Sequence, residues 1–242
     1  MDFTIIIYII FGILPALTWL FYYLRKDVHP EPKAMILKVF LWGSVITLPV
    51  FFVQLGLAYI LGKFYFTPPI TALIYYFLVI AFSEEIFKAL VIKLKVLGSP
   101  HVDEPLDIML YMVISALGFA ALENILYLFS PTGQLSFNEI INRALIIAFI
   151  RFIGATFLHT LCSAVIGYAI AMSTCFQKNK ILKIILGITL AVFLHGLYNF
   201  SIMILTGYAR LLVPVTIILT LAILVYMGFE RLKKLKGICK VN

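Results

Sequence analysis

The chain has 242 residues, 63% of them hydrophobic and only 12% charged, with a formal net charge of +8. Its mean hydropathy is +1.09. No water-soluble fold of this size carries so much apolar surface, so the composition excludes a soluble enzyme and points to an all-α, polytopic membrane bundle. No linker or low-complexity tract divides it, and one transmembrane domain over 1–242 is expected. The positive excess gathers in alternate loops, which reports orientation in the bilayer and excludes nucleic acid as the partner.

In chain order, the apolar runs predict seven spans. The first covers about 3–24 and ends at the charged, proline-stiffened loop Arg25-Lys26-Asp27-Val28-His29-Pro30-Glu31-Pro32-Lys33. No basic stretch or small-residue cleavage site marks this run as a signal peptide, so a retained helix is expected. The second covers about 34–61, with Pro49 as an expected kink. The third covers 69–97 and the fourth 107–129. A polar loop over 130–142 precedes the fifth, at 143–173. The sixth and seventh cover 181–205 and 210–229, and a basic tail follows. The weak points of the count are 62–97 and 130–150, where a re-entrant piece could hide.

Lys and Arg alternate by side. Arg25, Lys26, Lys33, Lys93, Lys95, Lys178, Lys180, Lys183 and the tail residues Arg231, Lys233, Lys234, Lys236 and Lys240 fall on one side. Lys63, Arg143 and Arg210 fall on the other. The positive-inside rule then puts the N-terminus outside and the C-terminus in the cytoplasm. Cys162 lies in a span, while Cys175 and Cys239 flank expected cytoplasmic ends, where thiols stay reduced. No disulfide is expected.

Four consecutive spans carry polar groups that lipid should exclude. Span three has Glu84, Glu85 and Lys88; span four has Glu123 and Asn124; span five has Arg151 and His159; span six has His195 and Asn199. An ionised group at mid-membrane costs about 2.5–3.5 kcal/mol on insertion scales, so function is the default reading. Glu84, His159 and His195 lie within about 3 Å of the midpoints of their spans, and Glu123 about 8 Å away, at about 1.5 Å rise per residue. Residues four apart share a helix face: Glu84 with Lys88, Phe119 with Glu123, His195 with Asn199. Arg151, Ala155, His159, Ser163 and Gly167 make one such stripe. This predicts one polar centre on helices spanning 69–205, with 3–61 and 210–229 as scaffold.

Blander readings compete. A Glu–Lys pair can be structural, one histidine is more often a hydrogen-bond partner than a catalyst, Arg151 can snorkel to the interface, and Asn124 and Asn199 can merely orient helices. Against these stands the chemistry that the set allows. Two adjacent carboxylates cannot both ionise cheaply in low dielectric, which offers a general base and a general acid from one dipeptide. His159 and His195 can steady an oxyanion. Together with a carboxylate such as Glu123, they can instead ligate zinc. Asn124 or Asn199 can donate to the developing oxyanion.

These residues resemble the PrsW family of intramembrane proteases, which is related to the CAAX-prenyl protease and bacteriocin-processing group. The elements are Glu84-Glu85-Ile-Phe-Lys88, then Phe119-Ala-Ala-Leu-Glu123-Asn124. They continue with His159 and Gly167 after Arg151, then His195-Gly-Leu-Tyr-Asn199. Pro30-Glu31-Pro32 and Asp103-Glu104-Pro105-Leu-Asp107 are similar to the family's loop motifs. The resemblance covers roughly 25–200. It implies a multi-pass protein of the prokaryotic cell membrane that cuts membrane-anchored protein substrates, an anti-sigma factor at the first site of a cascade among them. The family is labelled metalloprotease, while its CAAX relatives look like glutamate proteases without tightly bound metal.

The sequence has no His-Glu-x-x-His, Gly-x-Ser-Gly or Gly-x-Gly-Asp signature, which removes site-2-type zinc, rhomboid-type serine and presenilin-type aspartate chemistry. The expectation is a glutamate-activated water, with Glu84 or Glu85 as base and His159 and His195 assisting. Glu123, Asn124 and Asn199 complete the site, and Lys88 tunes the acids. A metal-free mechanism is preferred over Zn2+ held by His159, His195 and Glu123. The rivals are an ion-coupled transporter or channel, which would predict an internal repeat and broken helices, and an inactive membrane scaffold.

Overall fold

A computed structural model describes residues 3–26, 29–130, 133, 135–235 and 239. Asp27 and Val28 of the first loop, and Lys236 and Lys240 of the basic tail, lie outside the described residues. Among those described, the chain is helical and contains no strand. The elements are α1 (Phe3–Leu24), α2 (Lys33–Leu61), α3 (Pro68–Ile74), a π-helical segment (Tyr75–Phe82), α4 (Ser83–Lys95) and α5 (Pro105–Leu128). They continue with α6 (Phe137–Ile153), α7 (Ala155–Cys175), α8 (Lys180–Ile204) and α9 (Ala209–Leu235). The pieces Pro68–Lys95 form one span and Phe137–Cys175 another, so seven helical spans are long and apolar enough to cross a membrane.

The expected boundaries hold to within a few residues except at the end of the seventh span, which runs on to Leu235, and in the fifth span, which starts at Phe137 inside the stretch expected to be loop. Ser136 and Glu139 are the reason. Each side chain accepts the other's backbone N–H, a reciprocal cap that starts a helix six residues early. No re-entrant piece interrupts the described parts of 62–97 or 130–150. The span does break at Gly154, whose backbone leaves the helical region (φ −104°, ψ −100°). α2 runs helical through Pro49.

α5 is the axis of the bundle. In its 18-residue core window 94% of residues are buried, against 22–28% for α1, α2 and α9. Pro105 at its first turn and the Glu104–Asp107 reciprocal cap fix its start. α2 lies against it almost backbone to backbone. A Cβ on Gly43 would collide with the Ser115 carbonyl, and one on Gly118 with the Phe40 carbonyl. Small residues permit this approach, and hydroxyls bond across it: Ser44 Oγ donates to Gly118 O (2.8 Å) and Thr47 Oγ1 to Phe119 O (3.4 Å).

Burial is uneven along the bundle. Every described α5 residue from Pro105 to Ala121 is buried, whereas Leu126 and Tyr127 near its other end are exposed. Past Val50, α2 is mostly exposed until Leu61, and α3 buries no residue at all. The loosely covered half thus comprises the ends of α2 and α5 and the start of the third span.

The opposite, tightly packed end gathers the lysine-rich loops. There, His29 Nδ1 lies 3.4 Å from Glu104 Oε1, and Tyr111 donates its hydroxyl to Glu31. Cys175 and Cys239 are bonded there, with Cα atoms 5.4 Å apart. This corrects the expectation of no disulfide: α9 packs against α7, and Cys239, whose N–H donates to Leu235 O (3.0 Å) at the end of α9, comes beside Cys175. Cys162 is free and buried.

Candidate active site

The acids reach the core through an irregularity. The π-helical turns, with i→i+5 pairing, run straight into the first turn of α4, and such turns often mark functional positions. Ser83 sits at the switch and its hydroxyl bonds the carbonyls of Val79 (2.6 Å) and Ile80 (3.0 Å). Glu84, Glu85 and Lys88 follow and are all buried. α8 closes on this segment at Gly196, where a Cβ would strike the Phe77 ring, and so His195 arrives beside the carboxylates.

Six of the predicted residues converge: Glu84, Glu85, Lys88, Glu123, His159 and His195. Lys88 Nζ donates to Glu85 Oε1 (2.8 Å) and reaches His159 Nδ1 at 2.8 Å and Glu84 Oε2 at 3.5 Å. It also lies 4.5 Å from the centre of the Phe119 ring. His195 Nδ1 is 2.9 Å from Glu85 Oε1, and His159 Nε2 is 2.9 Å from Glu123 Oε2. Ionised carboxylates only accept, so these contacts assign the tautomers: N–H on Nδ1 of His195 and on Nε2 of His159. The remaining nitrogens carry lone pairs and face Glu84 Oε2, at 3.8 Å from His195 Nε2 and 3.7 Å from His159 Nδ1.

The two acids are therefore not equivalent. Both oxygens of Glu85 are engaged, Oε1 by Lys88 and His195 and Oε2 by the Ser163 hydroxyl (3.0 Å). Glu84 Oε2 is buried and has no hydrogen-bond donor.

Glu123 stands behind His159 rather than beside Glu84. It is clamped by Arg151, whose Nη2 lies 2.5 Å from Glu123 Oε2 while its Nε donates to Asn124. Arg151 is thus buried in the network and does not snorkel. Asn124 spends its amide hydrogens on Gly12 O and Thr156 Oγ1, both at 3.1 Å, and ties α5 to α1 and α7. Asn199, half-buried one turn beyond His195, makes no side-chain hydrogen bond to a described residue. Gln54 of α2 was not foreseen: it donates to Glu84 Oε1 at 3.2 Å. It is an amide in a span without acids, histidines or arginines, and a lone uncharged polar residue in an apolar run was the available signal.

The donor set fits a divalent metal. One ligand atom each from Glu84, His159 and His195 lies within 4.8 Å of the others, near enough for a small contraction to reach bonding distances of about 2.0–2.2 Å. Each imidazole has a carboxylate behind its far nitrogen, the arrangement that orients metal-binding histidines. Three carboxylates face two cations in this cluster, Lys88 and Arg151, so neutral imidazoles leave one net negative charge. Lys88 competes for the His159 lone pair and would have to release it.

Residues 31–227 match the PrsW family, described as intramembrane metalloproteases. The chain belongs to the PrsW family. Three curated relatives, each called Protease PrsW, agree along most of their length. The chain is 29% identical to that of Oceanobacillus iheyensis (86% of this chain, 88% of the relative). It is 30% identical to that of Clostridioides difficile (86% and 84%). It is 27% identical to that of Bacillus subtilis (94% of each). No solved structure matches. The PrsW assignment makes the chain a peptidase and a multi-pass integral protein of the prokaryotic membrane, acting on membrane-protein substrates. The transporter and scaffold readings give way to it.

Proposed function

We propose that this PrsW protein hydrolyses a peptide bond of a membrane-anchored substrate with Glu84 as the general base. The observation that supports this is Glu84 Oε2, buried without a hydrogen-bond donor and facing His195 Nε2 and the Lys88-bonded Nδ1 of His159. Acceptors gathered beside the Lys88 ammonium suit a donor between them, and a water molecule or a cation can take that place. Glu84 Oε2 takes a proton from the attacking water. The new C–O bond forms at the scissile carbonyl carbon, whose oxygen becomes anionic. Asn199 and the Lys88 ammonium are the donors that stabilise that oxygen. Glu84 then passes its proton to the leaving amine as the C–N bond breaks. Glu85 holds Lys88 and His195 in place, and Glu123 and Arg151 hold His159. Where a divalent metal is bound, Glu84, His159 and His195 would hold it, and it supplies Lewis acidity toward water and carbonyl.

We also propose the orientation given by the lysine-rich loops, with the N-terminus outside and the loosely covered half toward the outer face. The exposure of Leu126 and Tyr127 next to Glu123 favours substrate approach from that end. A regulatory membrane protein such as an anti-sigma factor is the proposed substrate class.

The test is purified protein in liposomes with a single-pass substrate, products sized by mass spectrometry. Cleavage at a bond within or beside the membrane segment is expected. Loss of activity with a chelator and recovery with zinc would place the metal on Glu84, His159 and His195. Full chelator resistance with no bound metal would leave water activation to Glu84 and the imidazoles alone.

A further inference from the structure

The scaffold helix α2 sends one side chain into the reactive cluster. Gln54 Nε2 lies 3.2 Å from Glu84 Oε1 and 3.3 Å from Ser83 Oγ, so each amide hydrogen has an acceptor. The α2 hydroxyls bonded across the α2–α5 contact, Ser44 and Thr47, bond only backbone carbonyls. Gln54 instead grips a carboxylate, and it does so in a stretch of α2 where nearly every neighbour is exposed and apolar.

A carboxylate on a flexible side chain can turn either oxygen to either side. Fixing one oxygen removes that freedom. With Oε1 held by the amide, Oε2 is the atom presented to His159 and His195. An amide does this without adding charge, whereas a second cation beside Lys88 would pair with Glu84 and suppress its capacity to accept a proton. Ser83 completes the grip: its hydroxyl faces the π-helical carbonyls and its oxygen takes the second Gln54 hydrogen, so the amide is referenced to the backbone that carries Glu84.

We infer that Gln54 is a positioning residue for the reaction, one that holds Glu84 so that a single oxygen faces the reacting water. The inference rests on Glu84 being the base, and a bland alternative is a polar tie between two helices. Three variants separate these, each assayed in liposomes for kcat, KM and thermal unfolding. Gln54→Met keeps the volume and removes the donor. It is expected to lower kcat about 10–100-fold, the usual range for groups that orient a reactive residue, with KM unchanged and the unfolding temperature equal or higher, because an amide has been removed from an apolar stretch. Gln54→Asn keeps the amide at shorter reach and is expected to recover part of the loss. Glu84→Gln is the control and is expected to be inactive. Wild-type kcat in Gln54→Met, or a loss that follows the unfolding temperature, overturns the inference when Glu84→Gln is inactive. An active, folded Glu84→Gln overturns the assignment of the base itself.

Discussion

The two halves of this bundle are built on different rules. From Pro105 to Ala121, α5 is enclosed on all sides, with α2 at backbone contact through Gly43 and Gly118. Near its other end the same helix exposes Leu126 and Tyr127, α2 beyond Val50 is mostly exposed, and α3 buries no residue. Glu84, Glu85, Glu123, His159 and His195 lie where the first rule gives way to the second. A membrane protease must hold charged groups still in an apolar medium and also admit water and substrate to them. On the proposed mechanism, placing these groups at the boundary lets the packed half do the first and the loose half do the second.

The strongest way to break this comparison is to fill the packed half. Gly118→Leu would drive a side chain into the Phe40 carbonyl of α2. Overpacking of this kind costs about 1–3 kcal/mol or more, and backbone cannot yield as a side chain can. Poor folded yield and a lower unfolding temperature in detergent are expected. A smaller, more selective effect is expected at the boundary. Arg151→Met leaves Glu123 without its cation and loosens His159, and a fall in kcat of about 10–100-fold is expected while most of the fold survives. The smallest effect belongs to the loose half. Gly56 has nothing within 4 Å of a Cβ, so Gly56→Ala should leave activity unchanged and raise the unfolding temperature slightly, alanine favouring the helix over glycine. Destabilisation there as large as at Gly118 would erase the distinction between the halves.

The sequence made the scaffold legible for a simple reason. Hydrocarbon excludes charge, so seven apolar runs and the residues that violate them stand out without any structure. Spacing of four within a helix placed Glu84 with Lys88 and His195 with Asn199. It could not say which oxygen of which glutamate is free, because that depends on partners as far as 78 and 110 positions from Glu85, Ser163 and His195. Arg151 illustrates the same limit: its position near a span end suits an interface, and only the fold brings Glu123 and Asn124 to it. Gln54 was passed over because, unlike Asn124 and Asn199, it has no charged residue or histidine beside it or one turn away on its helix. The π-helical turns and the break at Gly154 left no mark in hydropathy, since both are apolar stretches that differ from their neighbours in hydrogen-bond register alone. The Cys175–Cys239 bond escaped because compartment was the only guide, and the packing of α9 against α7 was not visible.

The central claim concerns one atom, and one comparison addresses it. Wild-type protein and Glu84→Gln, shown to unfold at the same temperature, are each mixed in excess with a membrane-anchored substrate and followed through a single turnover. Loss of a general base typically lowers the rate about 10²–10⁴-fold, so product from the variant should be absent over many wild-type half-times. A folded Glu84→Gln protein that cuts the same bond at the wild-type rate would contradict the account.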